Sequence, residues 1–323
     1  MLKIQTPDTL YIDNSMTAIL LLSFGSPDSI ESIESFVANI MGGRKPSPEQ
    51  LQKIKERYQM IGGYSPLLDI TRKQAIALEK NLNAGEKKFK VFVGMRYWHP
   101  FINDVLNEIS DKKFEDVVSL VMSPHYSAVS TGGYIRAVNG ARIELNITIN
   151  ISFIKNWHIH PLFIEALAEE IKKGLAFFDG IHASEIQVIF SAHSLPLRLM
   201  PDDDPYLKQL KETIDSVIKF AGNISWHLGF QSKGIGRGEW LEPSVDAILE
   251  KLSGERKRYV LLVPLSFVSD HIETLYDIDI IYKKMAESLG MTFHRTNSLN
   301  DSPKFIESLS DIIKEHLNKE GKE

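Results

Sequence analysis

The chain has 323 residues, 43% hydrophobic and 24% charged, with a formal net charge of −5. That is an ordinary soluble globular composition, long enough for one large domain or two of about 150 residues. There is no cysteine, which excludes disulfides, thiolate metal sites, cysteine-held iron–sulfur clusters and a cysteine nucleophile, so metal chemistry must use histidine, carboxylate or water.

Along the chain, short apolar runs alternate with amphipathic stretches. AILLL (18–22) reads as a first strand. SPEQLQKIKERYQMI (47–61) reads as a helix, with Ser47 as N-cap, Pro48 at the first helical position and Glu49 in the first turn. A second helix is expected over 69–82, a strand over KVFVGM (90–95), and a helix over 100–110. VVSLVM (117–122) and ITINISFI (147–154) complete the strands of the first half. The second half repeats the pattern. Helices are expected over 162–178, 205–221, 243–252 and 303–317, and strands over 186–190, 224–230, 259–265 and 291–295. Most of these runs are too continuous for half-exposed strands, so they read as parallel strands covered on both faces.

Two stretches echo two others. LLLSFGSP (20–27) resembles VIFSAHSLP (188–196), and SLVMSPHYS (119–127) resembles LVPLSFVSDH (262–271). The expected fold is therefore α/β, with two similar domains, residues 1–155 and 156–323, each a four-stranded parallel sheet flanked by helices. Ligands of such sheets bind beyond the carboxyl ends of the strands. Those ends supply Ser23, Arg96, Tyr97, Ser123, His125, Ser191, His193, Gln231, Ser269 and His271.

Several function classes are absent. There is no P-loop and no G-x-S-x-G elbow, and GIGRG (234–238) lacks dinucleotide spacing and reads as a plain loop. GERKRY (254–259) is too short a basic run to indicate nucleic acid and reads as a solvated turn. No run approaches the roughly 20 apolar residues of a membrane span. The N-terminal MLKIQTPDTLYIDNSM has no apolar signal region, so a cytoplasmic protein is expected.

Two stretches carry candidate chemistry. In FSAHSLP, His193 lies just after a buried strand, where an imidazole suits Fe(II) or Zn(II). In FVSDHIETLYDID (267–279), Glu273 and Asp277 are four apart on an expected helix, a mildly repulsive pair that a cation would relieve. The plain alternative is structural: Asp270 and Glu273 have a D-x-x-E spacing close to a capping box.

With GMRYWHP, SPHYSAVSTGGY, DPYLKQL and GFQSKGIGRGEWLEP, these two stretches resemble the ferrochelatase family in its order, over almost the whole chain. The resemblance implies two similar domains around a porphyrin cleft and insertion of Fe(II), as substrate metal, into a porphyrin in haem synthesis. It makes His193 and Glu273 the catalytic and metal-binding pair facing each other across the cleft, with Asp277 feeding metal from behind. Arg57, Tyr58, Ser65 and Tyr134 match positions that contact the porphyrin or its propionates. The short charged lip at 36–68 resembles enzymes using coproporphyrin III, with protoporphyrin IX as the alternative. Phe24 stands where some coproporphyrin-type members have an iron-ligating tyrosine, and Met41 where some have arginine. A monomer is expected, whose partners are its porphyrin and the haem-pathway enzymes before and after it, and the missing cysteines exclude the iron–sulfur cluster that some members of the family carry. A chelatase loading Co(II) or Ni(II), or a noncatalytic tetrapyrrole- or metal-binding protein on the same scaffold, is the more distant reading.

Overall fold

Chains whose strands are apolar on both faces need helices on both sides of the sheet, and two such layers form here. A computed structural model describes residues 16–85, 88–222, 224–234 and 238–320. The polar N-terminal stretch and the middle of GIGRG lie outside the described residues. The first sheet contains β1 (Thr17–Ser23), β2 (Phe89–Met95), β3 (Asp116–Val121) and β4 (Asn150–Ile154), in the order β2-β1-β3-β4. The second contains β5 (Ile186–His193), β6 (Ser225–Gln231), β7 (Tyr259–Pro264) and β8 (Thr292–Arg295), in the order β6-β5-β7-β8. All pairings are parallel. The two orders are the same, so the echoed segments occupy equivalent places: β1 corresponds to β5 and β3 to β7.

The helices are α1 (Ile33–Ile40), α2 (Pro48–Met60), α3 (Leu67–Leu82), α4 (Ile102–Asp111), α5 (Thr131–Glu144), α6 (Pro161–Ala176), α7 (Tyr206–Ala221), α8 (Val245–Gly254), α9 (Lys283–Ser288) and α10 (Pro303–Glu320). A π-helix, Glu273–Tyr282, leads into α9. Ser47 caps α2 as expected. Its hydroxyl accepts from the Gln50 amide at 3.2 Å, and Gln50 Oε1 accepts from the Ser47 amide at 3.0 Å, closing a capping box.

Four expectations change. β4 begins at Asn150, not 147, because Ile147 N closes onto Arg142 O at the end of α5 while Asn146 takes φ +52°. β5 runs three residues further than its apolar core, to His193, in register with Gln231 of β6. α1 and α5 are additional helices. α5 contains Gly132, Gly133 and Gly140, which mask its helical pattern. Gly133 leaves room for the Arg96 guanidinium, which lies within 2.2 Å of where a Cβ would stand and would have to shift to admit one.

The sheets are not separate cores. One apolar cluster joins Ile19, Leu21, Val118 and Leu120 of the first sheet to Val188, Phe190, Leu261 and Val263 of the second, through Leu78, Phe163, Ile171, Phe305, Leu309 and Ile313 of α3, α6 and α10. Each such side chain, fully buried, contributes roughly 1.5–3 kcal/mol. An interface this apolar holds the two halves in fixed relation.

Candidate active site

In the second sheet the chain leaves β5 toward β6 on one side, while β7 lies on the other. The crevice between the carboxyl ends of β5 and β7 is therefore the topological switch point, where open α/β sheets bind ligands. His193 ends β5 on its edge. Its amide donates to Ser266 Oγ at 3.1 Å, and its carbonyl accepts from the Tyr206 hydroxyl at 3.1 Å. The backbone is thus fixed from β7 and from α7.

Glu273 comes from the segment after β7 and is the first residue of the π-helix. His193 Nδ1 lies 3.0 Å from Glu273 Oε2, across 80 residues of sequence. The carboxylate accepts, so Nδ1 carries a proton, and whenever the ring is neutral its lone pair is on Nε2. The His193 side chain is 36% exposed, so the ring reaches the surface of the crevice. Phe267 stands between His193 and His271, with ring centroids 6.2 Å and 4.8 Å away. His271 Nδ1 donates to the Ser269 carbonyl at 3.0 Å, and its Nε2 is 3.7 Å from Glu273 Oε2. Both imidazoles therefore approach the same carboxylate oxygen, Oε2.

The D-x-x-E spacing does not form a capping box. Ile272 is the N-cap of the π-helix, without a side-chain cap bond. Asp270 instead accepts from Arg295 Nη1 at 3.0 Å, Ser298 Oγ at 2.8 Å and Asn300 Nδ2 at 2.9 Å. Thr274 does the local work: its Oγ1 accepts from the His271 amide at 3.0 Å. Gln74 of α3 then ties this loop to the first half, donating to Ser269 Oγ at 2.9 Å and Asn300 O at 2.8 Å. Asp270 is a bolt for the entry loop, which frees Glu273 for the crevice.

Buried residues in the π-helix are Thr274, Ile278 and Tyr282, every fourth position. A wide helix of this kind is rare and concentrates at functional sites. Asp277 lies four residues after Glu273 and accepts from Ser232 Oγ at 2.6 Å. Ser232 takes φ +60°, a left-handed conformation uncommon for serine. Beside it, Gln231 donates to the Glu273 carbonyl at 3.1 Å. Ser232 was not among the candidates, and its backbone angle leaves no mark in the sequence.

The electrostatics split the acids. Burial alone would raise Glu273, but the His193 imidazole, its hydrogen bond and His271 outweigh it and hold the carboxyl well below the ordinary range. Burial alone would depress His193, and the Glu273 carboxylate, with help from Asp277, outweighs that and raises it. Asp277 moves the other way: burial raises it, Ser232 and Arg57 pull down, and Glu273 pushes further up. Two acids one turn apart thus differ in proton affinity.

The remaining candidates lie on the first half. The Arg57 guanidinium sits 5.4 Å over the Tyr276 ring of the π-helix. Tyr58 is 3% exposed, packed with Phe36, Val37 and Trp98, and burial near Glu273 raises its phenol. Ser65 is buried, and its hydroxyl accepts from Leu67 N at 3.4 Å at the start of α3. Tyr134 is buried under Arg96, whose guanidinium lies 5.4 Å from its ring and 4.9 Å from that of Tyr97. Phe24 is 42% exposed against Tyr97, and Met41 is partly buried behind the lip. His125, another strand-end residue, is fully buried against Thr213 at 3.0 Å. Burial and His158 depress it to about 3, so it is a neutral packing group.

Comparison with known proteins identifies the family. The sequence profile of the ferrochelatase family matches residues 16–317. A ferrochelatase of Geotalea daltonii is 41% identical, over 92% of this chain and 97% of that one. A coproporphyrin III ferrochelatase of Oceanobacillus iheyensis is 35% identical, over 94% and 97%. Among solved structures, SirB from Bacillus subtilis with Fe3+ aligns over 95% of this chain and 98% of its own, with a TM-score of 0.60. At 11% identity it shares the fold alone. A profile spanning both sheets, and relatives matched from end to end, place the chain in the ferrochelatase family, as an enzyme that inserts iron into a porphyrin.

Proposed function

We propose that the porphyrin is coproporphyrin III, and that His193, Glu273 and Asp277 handle the metal and the protons. The observation that supports the substrate choice is the pair Arg57 and Arg96. Among the described residues neither is hydrogen-bonded to a carboxylate; each lies over an aromatic ring instead. Guanidinium groups held this way suit carboxylates of a ligand, and coproporphyrin III carries four propionates where protoporphyrin IX carries two. The lip between β1 and α3 is short and charged, and the Oceanobacillus iheyensis relative is named for coproporphyrin III. Exposed Phe24, Ile40, Met60 and Tyr64 on or beside the same lip favour the second reading, protoporphyrin IX.

Inserting Fe(II) displaces two pyrrole protons. Neutral His193 accepts one at Nε2, and the imidazolium so formed is stabilised by Glu273 at Nδ1, while the second leaves to solvent water. Glu273, charged throughout, offers an oxygen to the incoming ion, and Asp277 takes up or releases a proton behind it. Arg57, Tyr58, Ser65 and Tyr134 shape the porphyrin side of the cleft, Tyr58 and Tyr134 from beneath its surface. A boundary near residues 155–156 separates the two similar domains. No helix among the described residues is long and apolar enough to cross a membrane, in keeping with work in the cytoplasm between the haem-pathway enzymes that supply the porphyrin and take the product. Anaerobic Fe(II) insertion, measured side by side with both porphyrins, tests the substrate. A clear preference in kcat/KM for coproporphyrin III is expected, and equal rates or a preference for protoporphyrin IX overturn the choice.

A further inference from the structure

A second group of metal-capable side chains lies away from His193. His160 directly precedes α6, and its ring faces Asp311 and Glu315 of α10. Its Nε2 is 3.4 Å from Asp311 Oδ2 and 4.0 Å from Glu315 Oε1. One ligand atom from each of the three falls within 4.8 Å of the others. The two acids are four residues apart on one helical face, where like charges repel. Lys319 offsets part of this, 3.6 Å from the other oxygen of Glu315.

The independent sign is the imidazole. His160 is only 8% exposed, yet neither ring nitrogen makes a hydrogen bond among the described residues. Buried polar atoms are normally satisfied, and an exception asks for a missing partner such as an ion. His158, two residues earlier, shows the ordinary solution, with Nε2 bonded to Glu212 at 2.9 Å.

A divalent cation among the three atoms would satisfy Nε2 and neutralise both acids. Bonds of 2.0–2.1 Å to zinc place tetrahedral ligand atoms about 3.3 Å apart. The separations of 3.4 Å and 4.0 Å from the imidazole, and a carboxylate-to-carboxylate separation within 4.8 Å, require the two exposed carboxylates to close by rotating toward the ion. One imidazole with two carboxylates selects a borderline ion over calcium or magnesium. We propose that His160, Asp311 and Glu315 form a second divalent-cation site, of the zinc or ferrous type, with water completing its coordination.

The location defines its work. α10 packs on both α3 and α6, and His316 further along it reaches Ser152 of β4 at 2.9 Å. A cation at His160 fastens α10 to the point where the chain enters the second half. It is a structural staple that shares no ligand atom with the His193–Glu273 pair.

Zinc chloride and equilibrium dialysis of the full chain test this. Because the crevice pair also offers nitrogen and oxygen, the measurement uses His193→Ala/Glu273→Gln protein beside wild type. About one tightly held zinc per chain is expected to remain in that variant, and to vanish when Asp311→Asn/Glu315→Gln is added. In otherwise wild-type protein, Asp311→Asn/Glu315→Gln should lower bound zinc by about one per chain, remove the zinc-dependent rise in melting temperature, and leave iron insertion unchanged. These are surface positions, so the variant tests the site even if His160→Ala fails to fold. Zinc stoichiometry unaltered by Asp311→Asn/Glu315→Gln overturns the proposal, as does the absence of bound zinc in the His193→Ala/Glu273→Gln protein.

Discussion

His193 and Glu273 depend on each other's charge, and that gives a pH signature. The folded value of His193 is raised, so its stabilising contribution is complete below the ordinary imidazole value and is lost as pH rises through the raised one. The folded value of Glu273 is depressed, so its contribution is present above the ordinary carboxylate value and is lost as pH falls. The coupling between them is therefore strongest between about pH 4.3 and 6.5. A double-mutant cycle with His193→Ala and Glu273→Gln should show its largest coupling energy near the middle of that window and a smaller one at alkaline pH. NMR titration of the His193 ring should give a value above 6.5 in wild type and a lower one in Glu273→Gln. A His193 value unchanged by that substitution would contradict the direct bond. His271, the more obvious ligand within the SDHIET stretch, has its Nδ1 proton committed to a backbone carbonyl. What the sequence could not convey is that Glu273 also meets this ring, since 3.7 Å is a property of how the loop folds back.

At the scale of elements, the π-helix is held by its entry loop, and the loop by Arg295. The guanidinium makes a two-point contact with Asp279 of the π-helix, at 2.7 Å and 2.9 Å, and a third bond to Asp270. Burial opposes this charge, and the two acids outweigh it, raising Arg295 and lowering Asp270. Arg295→Met strands the mostly buried Asp270 and removes the partner of the more exposed Asp279, which should cost up to about 3 kcal/mol in urea unfolding. Arg295→Lys keeps the charge but loses the fork and should cost less, with a larger drop in iron insertion than its stability loss explains. Equal stability of all three proteins would remove the clamp from the account. The strands were legible because a parallel strand buried on both faces is an unbroken apolar run. The π-helix was not, since buried positions at 274, 278 and 282 fit an ordinary helix nearly as well. α5 was hidden by glycines whose reason, room for the Arg96 side chain beside Gly133, exists only in three dimensions.

Across the whole molecule, the echo between 20–27 and 188–196 was a faint sequence signal, and it became a shared strand order once the sheets were assembled. The two halves diverge in what they place on equivalent strands: Phe24 follows β1, whereas His193 ends β5. Their common core has a thermodynamic consequence. Leu309 of α10 is fully buried between the sheets, and Leu309→Ala should lose about 2–5 kcal/mol. Both halves should still melt in one transition, and two separated transitions in calorimetry would show that the sheets fold as independent units. The fixed relation of the halves lets Arg57 on one face Tyr276 on the other without a closing motion.

If the His193–Glu273 pair performs the metallation, anaerobic Fe(II) insertion into coproporphyrin III by His193→Ala, with porphyrin binding followed in parallel by fluorescence quenching, is the decisive measurement. Insertion should fall by at least about a hundredfold, the scale of a lost general base, with porphyrin affinity within a few fold of wild type. Turnover at the wild-type rate, with binding intact, would contradict that role.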